Sequence, residues 1–137
     1  MKKLCLVLTL TPLITLGAKK NEVVDGVTWY YESYTYSEPG TLTGTTVLKT
    51  GARIVWGSYS GVRTIPSSLG GYPVKQIGDG AFRGCSGLTS VGIPSSVISI
   101  GDSAFYNCSG LTAVTLPTTV TNIGASAFAY CGKLSSV

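Results

Sequence analysis

The sequence predicts a repeat solenoid. Short parallel β-strands are expected on one face and short helical or 3-10 turns on the other, with a small antiparallel β cap in front. Three observations predict it. A 23-residue phrase begins at Ile77-Gly78-Asp79-Gly80-Ala81-Phe82 and returns at Ile100-Gly101-Asp102-Ser103-Ala104-Phe105 and Ile123-Gly124-Ala125-Ser126-Ala127-Phe128. Its fixed positions are apolar, small or suited to special backbone geometry, whereas its variable positions are mostly Ser, Thr, Gly and Asn. Residues 19–64 show alternating β-like runs and are read as free of the 23-residue period. A fixed period of this length marks coils that hide their apolar side only by stacking, an architecture that usually serves as a binding surface.

Within the repeat, the fixed positions define a shared core. Phe82, Phe105 and Phe128 form one column, Cys85, Cys108 and Cys131 a second, and Leu88, Leu111 and Leu134 a third. Val91 and Ile93 alternate as in a strand with one buried face. Pro94 and Pro117 stop the strands, because proline cannot donate to a ladder. The outward strand positions are the candidate binding face: Thr89, Ser90 and Gly92, then Thr112, Ala113 and Thr115, then Ser135 and Ser136. Asp79 and Asp102 precede Gly/Ser-Ala-Phe, where a carboxylate suits the cap of a short helical turn. The third copy has Ala125 there, leaving Ser126 to cap or the turn uncapped.

The string Ile-Gly-Asp-x-Ala-Phe-x-x-Cys-Ser-Gly-Leu-Thr-x-Val-x-Ile/Leu-Pro-x-x-Val resembles the BspA-like leucine-rich repeat of bacterial surface and secreted proteins. The match covers residues 77–137 and extends more loosely to Ile65-Pro66. Pro66 lies eleven steps before Ile77 and Pro94 six before Ile100, so five extra residues within 69–73 make a longer turn. The resemblance implies binding or adhesion at a secreted or cell-surface location, with proteins or glycans of other cells or the extracellular matrix as partners.

Ahead of the repeats, Met1-Lys2-Lys3 followed by an apolar stretch ending Leu16-Gly17-Ala18 reads as a secretory signal peptide over residues 1–18. The stretch is broken by Pro12 and falls short of the roughly 20 residues a membrane span needs. The expected organisation is therefore a signal peptide (1–18), a β-rich cap (19–64) and repeats (65–137), with no membrane span after cleavage. The cap comprises two or three antiparallel strands, with runs at Val27–Tyr36, Thr41–Val47 and Ala52–Trp56. Removing residues 1–18 leaves eight Lys/Arg against six Asp/Glu, and the basic residues are scattered. That pattern gives no footprint for nucleic acid. Val137 falls partway through a repeat, so the sequence is expected to be a piece of something longer.

Catalytic chemistry has little to work with. There is no histidine, the usual general base near neutral pH. Asp79 and Asp102 occupy one repeat position and read as structural caps; a shared Ca²⁺ would want more oxygen ligands than they supply. No metal, cofactor or catalytic residue is assigned. The three repeat cysteines read as a packed column of thiols, the alternative being a disulfide between adjacent coils, which needs Cα atoms within about 7 Å. The leading function is a non-enzymatic exported recognition or adhesion module working through the sheet face. The alternatives are carbohydrate binding by the cap aromatics (Trp29, Tyr30, Tyr31, Tyr34, Tyr36, Trp56 and Tyr59) and a purely structural stalk.

Overall fold

The computed structural model describes residues 15–37, 48–55 and 57–137. Strands β1 (Thr15–Val24) and β2 (Val27–Ser37) form an antiparallel hairpin, and β3 (Leu48–Ile54) lies antiparallel on the far side of β2. Asp25 and Gly26, with φ of 49° and 74°, form the tight two-residue turn between β1 and β2. Positive φ at both central residues twists a turn the way the strands already twist. Lys49-Thr50-Gly51, which lies between the runs expected at Thr41–Val47 and Ala52–Trp56, is inside β3, and the run expected over Thr41–Val47 falls outside the described residues. Most of the expected signal peptide also falls outside them; from Thr15 the chain is strand, and the unbroken register with β2 starts at Lys19.

Beyond the cap come β4 (Gly61–Thr64), β5 (Ser68–Leu69), β6 (Tyr72–Ile77), β7 (Leu88–Gly92), β8 (Ser99–Ile100), β9 (Ala113–Thr115) and β10 (Asn122–Ile123). Apart from β5, they stack into two parallel ladders. One runs β4-β7-β9; the other runs β6-β8-β10 and continues directly from the cap, because β3 pairs parallel with β6. Ile54, Ile77 and Ile100 carry the same bond in successive coils: their carbonyls accept the amides of Gly78, Gly101 and Gly124, each at 2.8 Å. The extra residues after Pro66 are a small hairpin of β5 and β6 turned at Gly70-Gly71. The carboxylate of Glu22 fastens it to the cap by accepting the Gly70 amide at 2.7 Å.

These pairings reveal a coil that the sequence conceals, and they correct the reading of 19–64 as free of the period. Ile54 pairs with Ile77, and Tyr59 packs its ring 4.8 Å from Phe82; both pairs are 23 residues apart. Gly61 then pairs with Leu88, and Ile65 donates to Gly92, at spacings of 27. Between Tyr59 and Gly61 the first coil is short, and the β5-β6 hairpin restores the length.

The expected helical or 3-10 turns are not formed. Residues 79–84, 102–107 and 125–130 are chains of turns. Two positions per coil take positive φ: Gly80, Ser103 and Ser126 at one, and Gly84, Asn107 and Tyr130 at the other. A right-handed helix cannot pass through left-handed residues. The amides also alternate in direction. Ala81 and Arg83 donate back within their own coil, whereas Gly80, Phe82 and Gly84 donate to Asp102, Ala104 and Tyr106 of the next, at 2.7–2.9 Å. Asp79 and Asp102 correspondingly do not cap helices. Asp79 Oδ1 accepts the Asp102 amide at 3.0 Å, and Asp102 Oδ1 the Ala125 amide at 2.7 Å, so each carboxylate ties its coil to the following one.

The left-handed sites carry strain wherever the residue is not glycine. Ser103 has φ of 54° at a position the first coil fills with Gly80. Ser103→Gly is expected to raise stability by about 0.5–1 kcal/mol. This is the relief of roughly 1–2 kcal/mol of left-handed strain, less the roughly 0.5–1 kcal/mol of chain entropy that glycine returns to the unfolded state. Urea unfolding followed by circular dichroism measures it.

Candidate recognition face

The sheet β4-β7-β9 alternates residues between the core and water. Val91 and Val114 turn inward and are buried, while their neighbours turn outward. Ser90, Ala113 and Ser136 form one outward column, joined by the Ser90↔Ala113 pairing and the Ala113↔Ser136 bridge. Gly92 and Thr115 form a second. Thr89, Thr112 and Ser135 form a third at the start of the strands. Thr112 Oγ1 donates to the Thr89 carbonyl at 2.9 Å, and Ser135 Oγ to the Thr112 carbonyl at 3.1 Å. Thr89, Thr112, Thr115, Ser135 and Ser136 are exposed; Ser90, Gly92 and Ala113 are half-buried. All eight candidate residues are thus exposed or half-buried, with Ser90, Gly92, Ala113 and Thr115 at paired strand positions. With their hydroxyl protons given to backbone, Thr112 and Ser135 offer oxygen acceptors at fixed positions and no charge.

The sheet has a further rung that the sequence reading left in the cap. Val62 pairs with Ser90 and Thr64 with Gly92, and both are exposed, Val62 at 68%. Counting back from proline finds them: Val62, Ser90 and Ala113 each stand four residues before Pro66, Pro94 and Pro117.

Behind the face, the columns named for the core do not share one environment. Phe82 and Phe105 are fully buried and Phe128 partly so; Leu88 and Leu111 are buried and Leu134 half-buried. The phenyl rings stack nearly parallel, 4.8 Å apart between Phe82 and Phe105 and 5.2 Å between Phe105 and Phe128. The column continues into the cap, where Tyr59 lies on Phe82 and Trp29 stacks on Tyr59 at 5.0 Å. Trp29, Tyr31 and Tyr59 are therefore buried, and Tyr30 is 41% exposed. Trp56 and the Tyr36 side chain lie outside the described residues. On the turn edge, Tyr106 and Tyr130 meet edge to face at 5.0 Å, with the Arg83 guanidinium 4.8 Å over Tyr106.

The repeat cysteines are free thiols. Cys108 Sγ donates to the Phe82 carbonyl and Cys131 Sγ to the Phe105 carbonyl, both at 3.0 Å, and Cys85 Sγ lies 3.5 Å from the Gly57 carbonyl. Burial raises the pKa of all three, that of Cys108 to about 12. Burial likewise pushes Tyr59 up to about 12. The sign follows from linkage. An unfolded thiol ionises near 9.0 and an unfolded phenol near 10.0, so above those values the native state holds more protons. The stability that neutral burial contributes is complete below pH 9 and is lost as pH rises toward 12. The urea midpoint is expected to fall steadily across that window. Among the described cysteines of native protein at pH 8, a thiol reagent is expected to label half-buried Cys131 first, and Cys85 and Cys108 only on unfolding.

Similarity to known proteins agrees with this geometry. The family described as BspA type leucine rich repeat region matches residues 61–137, beginning at the first residue of β4. No curated protein matches the chain. Among solved structures, the leucine-rich repeat protein of T. pallidum is 35% identical with a TM-score of 0.59, over 64% of this chain and 42% of its own. A leucine-rich cell surface protein from Faecalibacterium prausnitzii is 30% identical with a TM-score of 0.59, over 88% of this chain and 30% of its own. A leucine-rich repeat protein from Bacteroides ovatus is 31% identical with a TM-score of 0.54, over 75% of this chain and 27% of its own. The chain thus spans less than half the length of each of these proteins.

Proposed function

Because the chain belongs to the BspA-type leucine-rich repeat family, we propose that it is a non-enzymatic, exported recognition module that binds proteins at the cell surface through the β4-β7-β9 face. The observation that carries this reading is the set of aligned outward columns, regular, uncharged and backed by a rigid core. The basic, apolar N-terminus and the cell-surface neighbour support export. The absence of histidine and the engagement of Asp79 and Asp102 in inter-coil bonds argue against acid–base catalysis. Strong interface residues are usually Trp, Tyr or Arg, and the face consists of small residues and Val62. Binding by this stretch alone is therefore weak and depends on shape. Carbohydrate binding by the cap is the less favoured reading, because Trp29, Tyr31 and Tyr59 are packed inside.

The test presents the purified chain to arrays of extracellular proteins and glycans. Saturable binding is expected, lost on Thr112→Arg at the middle of the face and kept by Lys133→Ala away from it. Binding indifferent to Thr112→Arg, or no saturable binding at all, overturns the proposal.

A further inference from the structure

Arg63 stands where the repeat keeps an apolar residue. In the β4-β7-β9 sheet it pairs with Val91, which pairs with Val114, and both valines are buried core. Each stands three residues before its proline, as Arg63 does before Pro66. Arg63 is only partly exposed, and its Nε has no hydrogen-bond partner despite being buried. Its Nη1 donates to the carbonyl of adjacent Val62 at 2.9 Å. No described carboxylate pairs with it. A cation placed inward and left incompletely bonded costs free energy, so the position calls for an explanation other than packing.

A cavity of about 310 Å³ opens beside it, between the tip of the β1-β2 hairpin and β4. Val24, Val27, Trp29 and Pro66 give it apolar walls, Arg63 a positive group and Asp25 a negative one. Its size sits at the low end of the roughly 300–1,000 Å³ of ligand pockets, enough for a side chain and the adjoining backbone. β4 is also the end strand of its sheet. Gly61 and Ile65 donate toward β7, so the alternating geometry turns the amides and carbonyls of Val62 and Thr64 to the open edge. The bond from Arg63 to the Val62 carbonyl is consistent with that direction, since that oxygen is available to a side chain.

We propose that this groove binds an extended peptide segment bearing an acidic residue. The segment adds a strand to β4 and places its carboxylate on the Arg63 guanidinium. Strand addition supplies affinity through main-chain bonds to Val62 and Thr64, and the charged pocket supplies selectivity. A carboxylate accepts charge-assisted bonds from a guanidinium, and Arg63 presents its guanidinium to the groove without a described carboxylate partner. Asp25, on the opposite wall, accepts a backbone amide or basic group of the same segment. The site adjoins the sheet face of the recognition reading: it shares Val62 and Thr64 with that face but uses their edge-directed backbone and the Arg63 pocket.

The experiment titrates the full chain with a set of acetylated, amidated five-residue peptides carrying glutamate at the centre and Val, Thr, Ser or Lys around it. Backbone amide NMR shifts are the readout. At least one peptide is expected to bind saturably and shift Val62 and Thr64, with its glutamine analogue at least tenfold weaker and its alternately N-methylated analogue inactive. Arg63→Val, which restores the repeat's apolar residue, is expected to lose binding at least tenfold while keeping or raising the melting temperature, so that loss of fold is not the cause. The inference is overturned if no peptide binds, if Arg63→Val binds as well as the native chain, or if glutarate binds as tightly as the peptides, which would mean an anion site without strand addition. Shifts confined to Thr89 and Thr112 overturn it too, while supporting the sheet face.

Discussion

Phe105→Ala is expected to destabilise the protein by roughly 3–5 kcal/mol, the range for deleting a buried aromatic side chain. The residue sits at the upper end of that range for a structural reason. Phe105 is fully buried, with a ring stacked on each side at 4.8 and 5.2 Å. The neighbouring coils cannot collapse into the vacated space, because backbone bonds from Phe82 to Ala104 and from Phe105 to Ala127 hold their spacing. Domains have only about 5–15 kcal/mol of stability in total, so the variant loses much of its reserve. Phe128→Ala is expected to cost less, since Phe128 is partly exposed and stacks on one described ring. Urea titration of the two variants checks the gradient; equal losses would contradict the stacked-column account.

Gly101→Ala is expected to cost about 3 kcal/mol, the upper part of the range for overpacking. A methyl group at Gly101 would lie 2.7 Å from the Asp79 amide nitrogen and 2.8 Å from the Gly78 carbonyl carbon. Both obstacles are backbone of the preceding coil. Moving away breaks the Gly101 bond to Ile77 and the Asp102 bond to Asp79. Gly132→Ala is the control, because nothing lies within 4 Å of a methyl there, and its effect is expected to stay within about 0.5 kcal/mol. Matching midpoints for the two variants would show that the coils are less closely seated than described.

Phe105 was legible in the sequence, because strict spacing of Phe82, Phe105 and Phe128 reports a shared interior; the recurring Ile-Gly-Asp marked a constrained position without telling that its constraint is the close seating of adjacent coils. The turns were misread because Asp before Gly/Ser-Ala-Phe carries the local chemistry of a helix cap. What overrides it is the next coil, which takes alternate amides and leaves Ser103, Asn107, Ser126 and Tyr130 in conformations their side chains do not announce. The hidden first coil escaped because its shortening before Gly61 and its hairpin at 68–77 disrupt most of the register. Ile54 and Tyr59 keep it, and Tyr59 continues the phenylalanine column under another residue name. The face was legible as an alternation, but its first rung was obscured by Arg63 at an inward position.

The alternating amides bear on the order in which the chain folds. The side-chain bonds between adjacent coils join residues only 22–28 apart in sequence, so each added coil closes a loop of similar modest length and entropy cost. A lone coil has no partner for half of its turn amides, and thus little reason to form by itself. The hairpin of β1 and β2 is local and carries β3, whose parallel edge is a ready template for β6. Folding is expected to proceed as templated growth away from the cap, one coil at a time, and amide exchange pulse-labelled during refolding would show protection appearing first in the Ile77 coil and last in the Ile123 coil.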